Sequence, residues 1–173
     1  VTQERLGAFG VGFAENRIWV HVPAGLRREF SWNNEGLGPQ LALGRAGDFG
    51  HGQGFWRDEY RMNARLAAYS KPIVTLLQGF TMGGGVGVGC HASHRIVGQS
   101  SRIAMPEVGI GLVPDVGGSM LLAHAPGRLG EYFGLTTARM DAGDAILTGF
   151  ADHFINSEAG TLIICKLPLQ NLI

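Results

Sequence analysis

Two acidic side chains stand alone in a long apolar part of the chain. Glu107 and Asp115 are the only carboxylates between Lys71 and Glu131, and both lie in the proline- and glycine-rich stretch "AMPEVGIGLVPDVGGS". A carboxylate in apolar surroundings is a candidate for a raised pKa and for acid–base work. The structural alternative is that Asp115 caps a helix, which is worth about 1 kcal/mol, and that Glu107 is solvated.

A glycine-rich run precedes these carboxylates. The stretch "GFTMGGGVGVGC" contains the triplet Gly83, Gly84 and Gly85, directly after an apolar run. Because glycine costs roughly 0.5–1 kcal/mol relative to alanine inside a helix or strand, this density needs a reason. A strand that ends in glycines and opens a helix leaves backbone N–H groups unpaired, and such groups bind a phosphate or stabilise an oxyanion.

Nucleotide binding is one alternative for the run. A P-loop is excluded because no Gly-Lys-Ser or Gly-Lys-Thr follows the glycines. The strict pattern Gly-x-Gly-x-x-Gly also fails, but its looser form ending in alanine fits Gly87, Gly89 and Ala92, with Glu107 about twenty residues further on. That match leaves the triplet unexplained, so an oxyanion site is favoured and the dinucleotide site stays open as the lesser alternative.

Cys90, His91 and His94 raise the alternatives of metal and thiol chemistry. If the glycine-rich helix continues through them, Cys90 and His94 share a face and could begin a zinc site, which would need two further ligands. A Cys–His nucleophile pair is the other alternative. Packing and capping of a buried helix are far commoner uses of such residues, so no metal site is predicted.

Charge and composition exclude other classes of function. Fourteen basic and fourteen acidic side chains cancel, so no net charge attracts nucleic acid or an anionic membrane. Pro72 to His94 has no charged residue, but Gln78 and six glycines favour a buried strand and helix over a membrane span. Cys90 and Cys165 make no disulfide framework, which favours a reducing cytoplasmic setting. We expect no nucleic-acid partner and no membrane partner.

Strands and helices are predicted to alternate along the chain. The stretch "FWRDEYRMNARLAAYS" indicates a helix with Met62, Leu66 and Tyr69 on its apolar stripe. An early strand at Asn16 to Val22, a buried strand in "KPIVTLLQG" and two short strands in "HRIVGQSSRIAMPE" are indicated by their apolar runs. A helix starting at Asp115, helices at "GEYFGL" and "DAGDAILTG" and a strand at "ADHFI" follow. The alternation predicts an α/β layered fold.

Three stretches together resemble the crotonase (enoyl-CoA hydratase/isomerase) superfamily, and within it the 3-hydroxyisobutyryl-CoA hydrolases. They are "FWRDEYRMNARLAAYSKPIVTLLQGFTMGGGVGVGCHASHR", "SRIAMPEVGIGLVPDVGGS" and "GRLGEYFGLTTARMDAGDAILTGFADHFI". The resemblance implies a partial crotonase-like spiral of ββα units over residues 45–155. Residues 1–44 and 156–173 are then an atypical N-terminal segment and an atypical C-terminal tail.

The resemblance also implies a role for each matched residue. The N–H of Gly84, in a turn shaped by Gly83 and Gly85, would donate to the thioester carbonyl oxygen. Glu107 would act as base or nucleophile, and Asp115 would assist it. Hydratases of the superfamily carry a second glutamate two residues after the triplet, where this chain has Gly87. That departure favours hydrolysis over hydration.

The expected reaction is therefore hydrolysis of 3-hydroxyisobutyryl-CoA or a similar short hydroxyacyl-CoA, as in valine degradation. The expected location is the cytoplasm, or the mitochondrial matrix in a eukaryote. No metal or resident cofactor is implied, because CoA arrives as part of the acyl-CoA substrate.

Two alternatives to this reaction stay open. One is an enoyl-CoA hydratase or isomerase, and the other is an inactive crotonase fragment that binds acyl-CoA or a partner chain. The superfamily takes its second oxyanion N–H from an "AGGD"-like loop, and residues 25–35 read "GLRREFSWNNE" instead. A chain with part of the site is expected to be prone to associate, so a homo-oligomer also stays open.

Overall fold

The computed structural model describes residues 18–22, 26–29 and 44–156, and strands and helices alternate along them. This alternation confirms the predicted α/β class. In chain order the elements are β1 (Ile18–Val22), β2 (Leu26–Glu29), α1 (Gly50–Ala67), β3 (Val74–Leu77), β4 (Phe80–Met82), α2 (Gly84–Gly89), β5 (His94–Val97), β6 (Arg102–Ala104), a 3-10 helix (Glu107–Ile110), α3 (Gly118–His124), α4 (Leu129–Thr136), α5 (Ala142–Leu147) and β7 (His153–Phe154).

The described strands form two sheets. The larger sheet has the order β2-β1-β3-β5-β7, in which β1 is antiparallel to β2 and β3, while β3, β5 and β7 run parallel. The smaller sheet pairs β4 with β6 in parallel. The chain twice passes from the larger sheet to the smaller one and then enters a helical segment, first as β3-β4-α2 and then as β5-β6 and the 3-10 helix. This repeat is the strand–strand–helix unit that the resemblance implies.

The core lies between the sheets and the helices that cover them. All four residues of β3 are buried, and so is α2 from Gly85 to Gly89, which accounts for the uncharged stretch of sequence. Met62 and Leu66 of α1 pack against this core as predicted, whereas Tyr69 lies beyond the end of α1 and is exposed. Among the helices of the described residues, none has the length and apolar character needed to cross a bilayer.

An ion pair fastens the start of β5 to the loop before β7. Arg95 donates from Nε and Nη2 to the two carboxylate oxygens of Asp152, at 2.9 and 2.6 Å, and its backbone N–H donates to the same carboxylate at 2.7 Å. Nη1 of Arg95 also donates to the carbonyl oxygen of Gly149 at 2.6 Å. Burial raises the pKa of Asp152, but the hydrogen bonds and charge of Arg95 outweigh it and hold the pKa below its ordinary value.

We expect Arg95→Met to lower the free energy of unfolding by about 2–4 kcal/mol, because it leaves Asp152 partly buried without its partner. The matched control is Arg128→Met, which removes an exposed pair with Glu131 and should cost less than about 1 kcal/mol. Urea unfolding at pH 7 compares the two. Since the pKa of Asp152 is lowered, the pair contributes above the ordinary value of 3.8 and is lost as pH falls below it. Equal costs for the two variants would contradict this account.

Candidate active site

The glycine triplet forms the turn from β4 into α2. Gly83 has φ of 51°, a region that favours glycine, and α2 begins at the next residue. The amides of Val86 and Gly87 donate to the Gly83 carbonyl at 2.8 and 3.2 Å, which closes the first turn. The N–H groups of Gly84 and Gly85 precede these bonds, so they have no acceptor within the helix. The turn therefore presents two amide donors at one point.

Two glutamates lie against this turn. A Cβ atom added to Gly83 would lie 3.1 Å from Oε1 of Glu107, and one added to Gly84 would lie 3.0 Å from Oε1 of Glu59. Glu107 opens the 3-10 helix after β6 and is only 6% exposed, whereas Glu59 comes from α1 and is half-buried. The structure thus places Glu107 against the triplet, and the roles that the resemblance implies for these residues stay predictions. It adds Glu59, which the sequence did not single out.

Asp115 lies in the loop that precedes α3, and its charge acts on both glutamates. Its Oδ2 accepts a hydrogen bond of 2.9 Å from the hydroxyl group of Tyr60 on α1. The alternative in which the Asp115 side chain caps the next helix is wrong, because α3 begins at Gly118 and Gly117 is its N-cap. Gly117 has φ of 76°, a conformation that suits glycine, so the chain turns into α3 there. The carboxylate of Asp115 therefore accepts the hydrogen bond from Tyr60 instead of capping α3.

Burial makes the carboxyl groups of Glu59 and Glu107 hard to ionise. Burial, and after it the charge of Asp115, raises the pKa of Glu59 to about 7. Burial and the same charge raise the pKa of Glu107, while a hydrogen bond from its own backbone N–H lowers it in part. Burial, the hydrogen bond to Asp115 and the two nearby negative charges raise the pKa of Tyr60 to about 12. A poorly solvated carboxylate is a stronger base and nucleophile, which suits Glu107 to attack or to activate water.

The position two residues after the triplet has no room for a side chain. A Cβ atom added to Gly87 would lie 2.6 Å from Cβ of Val116 and 2.9 Å from Nδ2 of Asn63. Asn63 lies one turn after Glu59 on α1 and is 4% exposed. Within the described part of the chain, neither polar atom of its side chain has a hydrogen-bond partner. A second catalytic glutamate could stand at position 87 only by displacing Asn63 or the loop that carries Val116.

The dinucleotide alternative also loses support here. Gly87, Gly89 and Ala92, which fit the looser pattern, are all buried in or just beyond α2. A phosphate-binding glycine has to let a ligand approach its backbone. The protein's own side chains occupy that space at Gly87.

The sulfur and imidazole groups after α2 do not form the cluster considered above. α2 ends at Gly89 and His94 begins β5, so Cys90 and His94 do not share a helical face. Burial raises the pKa of the Cys90 thiol to about 12, although the charge of Arg95 lowers it in part, and a thiol of that kind is unreactive. Among the described residues, no group of three potential metal ligands is found. The described residues therefore contain neither the shared Cys90–His94 helical face that a zinc site would need nor a reactive Cys90 thiol for a Cys–His pair.

Comparison with known proteins bears directly on this site. The sequence profile of the enoyl-CoA hydratase/isomerase family matches residues 41–170. The chain belongs to this family. A probable 3-hydroxyisobutyryl-CoA hydrolase 3 of Arabidopsis thaliana is 44% identical over 119 residues, which cover 67% of this chain and 32% of that protein. The mitochondrial 3-hydroxyisobutyryl-CoA hydrolase of Xenopus tropicalis is 46% identical over 115 residues, 66% of this chain and 30% of that protein. The chain thus spans about a third of these relatives.

Solved structures confirm the predicted crotonase fold over part of the chain. An enoyl-CoA hydratase from Rhodobacter sphaeroides superposes with a TM-score of 0.73 at 61% identity, covering 76% of this chain and 39% of that chain. A carnitinyl-CoA dehydratase from Mycobacterium thermoresistibile superposes with a TM-score of 0.69 at 45% identity, covering 72% and 37%. The family and the fold inferred from the motifs are therefore both confirmed. The division into residues 1–44, 45–155 and 156–173 stays a prediction.

Three residues of the site escaped the sequence reasoning, and all three come from α1. Glu59, Tyr60 and Asn63 lie in a helix whose charged residues are mostly exposed. The signal was present in the spacing, because Glu59 and Asn63 lie four apart, on the same stripe as Met62 and Leu66. Polar residues on the apolar stripe of a helix are the ones that reach the interior.

Glu59→Gln is expected to stabilise the protein at neutral and alkaline pH but not at pH 4.5. The pKa of Glu59 is about 7 in the folded chain and 4.5 without its surroundings, so the folded state binds more protons between these values. Stability therefore falls as pH rises through this window, and the amide removes that fall. Because Glu59 is half-buried, we expect a gain of about 1 kcal/mol, or about 2–6 °C in Tm, at pH 8 and no gain at pH 4.5.

Thermal unfolding at the two pH values measures this difference. The control is Asp58→Asn, which neutralises the neighbouring carboxylate, whose exposed pair with Arg61 contributes little to stability. A gain in Tm that is equal at both pH values would contradict the raised pKa.

Proposed function

We propose that this chain contributes the reacting centre of an acyl-CoA thioester hydrolase. The proposed substrate is 3-hydroxyisobutyryl-CoA or a similar short hydroxyacyl-CoA, as in valine degradation. One observation carries the proposal: the buried carboxylate of Glu107 lies against the Gly83–Gly84 turn, while the space at Gly87 is closed to a second carboxylate. Curated relatives named 3-hydroxyisobutyryl-CoA hydrolase support it.

The thioester carbonyl is placed at the triplet in this proposal. The N–H of Gly84 donates to the carbonyl oxygen and stabilises the negative charge that forms when the acyl carbon is attacked. One such donor is typically worth about 10²–10³-fold in rate. Gly83 makes the donor accessible, because its positive φ turns the chain sharply into α2. Gly85 is buried behind the turn and keeps the helix close to β4.

Glu107 acts as the nucleophile or as the general base in the proposed reaction. Its carboxylate either attacks the acyl carbon itself, expelling CoA as a thiolate and leaving an anhydride that water then cleaves, or removes a proton from the attacking water. Both routes consume one water molecule and release the free acid and CoA. Burial is the main cause of the raised pKa of Glu107, and the charge of Asp115, which is held by Tyr60, adds to it and so increases the basicity of Glu107.

Glu59 extends the site on the other side of the triplet. Burial, and after it the charge of Asp115, raises its pKa to about 7, which favours the protonated form near neutral pH more than in an ordinary glutamate. A protonated carboxyl group beside Gly84 donates a hydrogen bond without adding a third negative charge to the site. We propose that it binds an oxygen atom of the substrate. CoA remains part of the substrate in this scheme, and no further cofactor is invoked.

Hydration of an enoyl-CoA is the second candidate reaction. It is favoured by the 61% identity to a protein described as an enoyl-CoA hydratase. The packing around Gly87 opposes it, because addition of water to the double bond would have to proceed without the second glutamate of the superfamily hydratases. We therefore rank hydrolysis first.

The location and the assembly of the protein are proposals too. Vertebrate relatives are named as mitochondrial proteins, which supports a mitochondrial matrix location in a eukaryotic cell and a cytoplasmic one otherwise. Association into a homo-oligomer stays a prediction.

A pair of parallel assays tests the proposal. The full chain is incubated with 3-hydroxyisobutyryl-CoA in the presence of a thiol reagent, and with the corresponding enoyl-CoA while the absorbance of the conjugated double bond is followed. Hydrolysis predicts release of free CoA from the first substrate and no loss of absorbance with the second. Loss of the double bond without release of thiol would establish the hydratase instead.

A further inference from the structure

The backbone directly after Asp115 is held in an unusual conformation. Val116 has φ of 46° and Gly117 has φ of 76°, so two consecutive residues lie in the left-handed region. A β-branched residue rarely adopts a positive φ, because its side chain then crowds the backbone. Such a conformation persists only where the surrounding structure enforces it.

His91, just beyond α2, contacts this turn directly. Its Nε2 lies 2.8 Å from the carbonyl oxygen of Val116. Because a carbonyl oxygen only accepts hydrogen bonds, Nε2 must carry the proton and donate it. The ring packs so closely beneath Gly117 that a Cβ atom there would lie 2.5 Å from Nε2. His91 is 9% exposed, and the proposed chemistry gives it no task.

Contacts on the other sides complete the arrangement. The side chain of Val116 packs against Gly87 of α2, and the hydroxyl group of Tyr60 on α1 holds the carboxylate of Asp115. The turn is therefore fixed to α2 by His91 and by the packing of Val116, and to α1 by Tyr60. Since α2 begins at the glycine triplet, the same rigid helix sets the positions of the amide donors and of Asp115.

We propose that His91 is a positioning residue: its hydrogen bond to the Val116 carbonyl enforces the strained turn that places Asp115 beside Glu107. The inference rests on the proposed role of Asp115 in thioester hydrolysis, and it assigns a purpose to a buried histidine that binds neither metal nor substrate in the scheme. Loss of the donor should let the turn relax and move Asp115, while the amide donors at the start of α2 stay in place.

The experiment uses two variants of similar size, His91→Gln and His91→Met. The glutamine amide can donate from nearly the position of Nε2, whereas the methionine side chain cannot donate at all. With 3-hydroxyisobutyryl-CoA, we expect His91→Met to lower kcat about 10- to 100-fold with KM within about twofold, the scale expected for a misplaced catalytic group. His91→Gln should stay within about threefold of the wild type. Equal losses for the two variants would overturn the proposal.

A double-mutant cycle with Asp115→Asn separates positioning from general damage. If His91 acts through Asp115, adding His91→Met to Asp115→Asn should lower kcat by less than about twofold more. A merely structural effect would multiply the two losses, and that result would overturn the proposal.

A second readout needs no turnover. The amide of Gly118 donates to the Asp115 carbonyl at 2.6 Å, so hydrogen exchange of the peptide covering residues 113–120 reports on the turn. We expect about tenfold faster exchange in His91→Met than in His91→Gln, with the peptide covering α5 unchanged. If the wild type hydrolyses no acyl-CoA, the proposed function is refuted. The difference in exchange between the two variants would then still support His91 as the residue that holds the turn in place. Equal exchange would refute the positioning role whatever the activity.

Should His91→Met not fold, Val116→Gly serves as the second test. Glycine adopts the positive φ without strain, so in that background His91→Met should fold and its exchange should differ little from that of His91→Gln. Val116→Gly alone is the reference, because it also removes the packing of Val116 against Gly87. If that variant folds and the double variant does not, His91 stabilises more than the turn, and the proposal is overturned.

Discussion

Glu107→Gln is expected to lower kcat for hydrolysis of 3-hydroxyisobutyryl-CoA by about 10³-fold or more, with KM within about threefold. The amide keeps the shape of the side chain but neither attacks the acyl carbon nor accepts a proton from water. Because burial raises the pKa of Glu107, the uncharged amide should not destabilise the fold at neutral pH. Steady-state kinetics, with Tm measured on the same samples, test both expectations.

The control for this variant is Glu131→Gln, which removes an exposed carboxylate on α4 that pairs with Arg128. It should leave kcat unchanged. In the wild type, kcat should rise with pH through the raised pKa of Glu107, since the reaction needs the ionised form. Activity of Glu107→Gln within tenfold of the wild type would show that another group attacks the thioester.

Gly87→Glu is expected to abolish folding of the chain rather than create a hydratase. Even the Cβ atom meets Val116 and Asn63 at 2.6 and 2.9 Å, so Gly87→Ala should already lower the free energy of unfolding by about 1–3 kcal/mol. The glutamate adds a buried charge to that overpacking, and a loss of about 4 kcal/mol or more is expected. Urea unfolding measures the alanine variant, and soluble yield with circular dichroism measures the glutamate variant.

The matched control is Gly54→Ala. Gly54 lies inside α1 with nothing within 4 Å of an added Cβ atom, so alanine there should be neutral or stabilise by about 0.5–1 kcal/mol. If Gly87→Glu folds and hydrates an enoyl-CoA, the space at position 87 is not closed. The preference for hydrolysis would then lose its main support.

Local sequence chemistry predicted most of the fold because its strands are short apolar runs bounded by turns. β3 and β5 were found in this way, as was β1 at Ile18–Val22. β2 at Leu26–Glu29 was not found, since three of its four residues are charged and no apolar alternation marks it. β2 joins the sheet by pairing with β1, and the residue pattern of β2 alone does not reveal that pairing.

The candidate site could be predicted from the sequence at positions where only one role explains the residue type. Gly83 suits glycine because it has a positive φ, and the carboxylates of Glu107 and Glu59 would crowd a side chain at Gly83 or Gly84. Asp115 was ambiguous, since aspartate before a helix is usually a cap, and only the positions of Gly117 and Tyr60 decide against that. Glu59 was missed because charged residues on a helix usually face solvent, and burial against α2 is a tertiary property.

Hydrolysis of a hydroxyacyl-CoA at the triplet and Glu107 is tested by following the oxygen atom of labelled water into the products. The full chain is incubated in H₂¹⁸O with 3-hydroxyisobutyryl-CoA and, in a separate reaction, with the corresponding enoyl-CoA. The masses of the products are measured by mass spectrometry. Hydrolysis predicts label in the carboxyl group of the released acid, one free CoA for each acid and no label in intact acyl-CoA. Label in the acyl chain of an intact CoA ester, or no label in any product of the folded chain, would contradict the account.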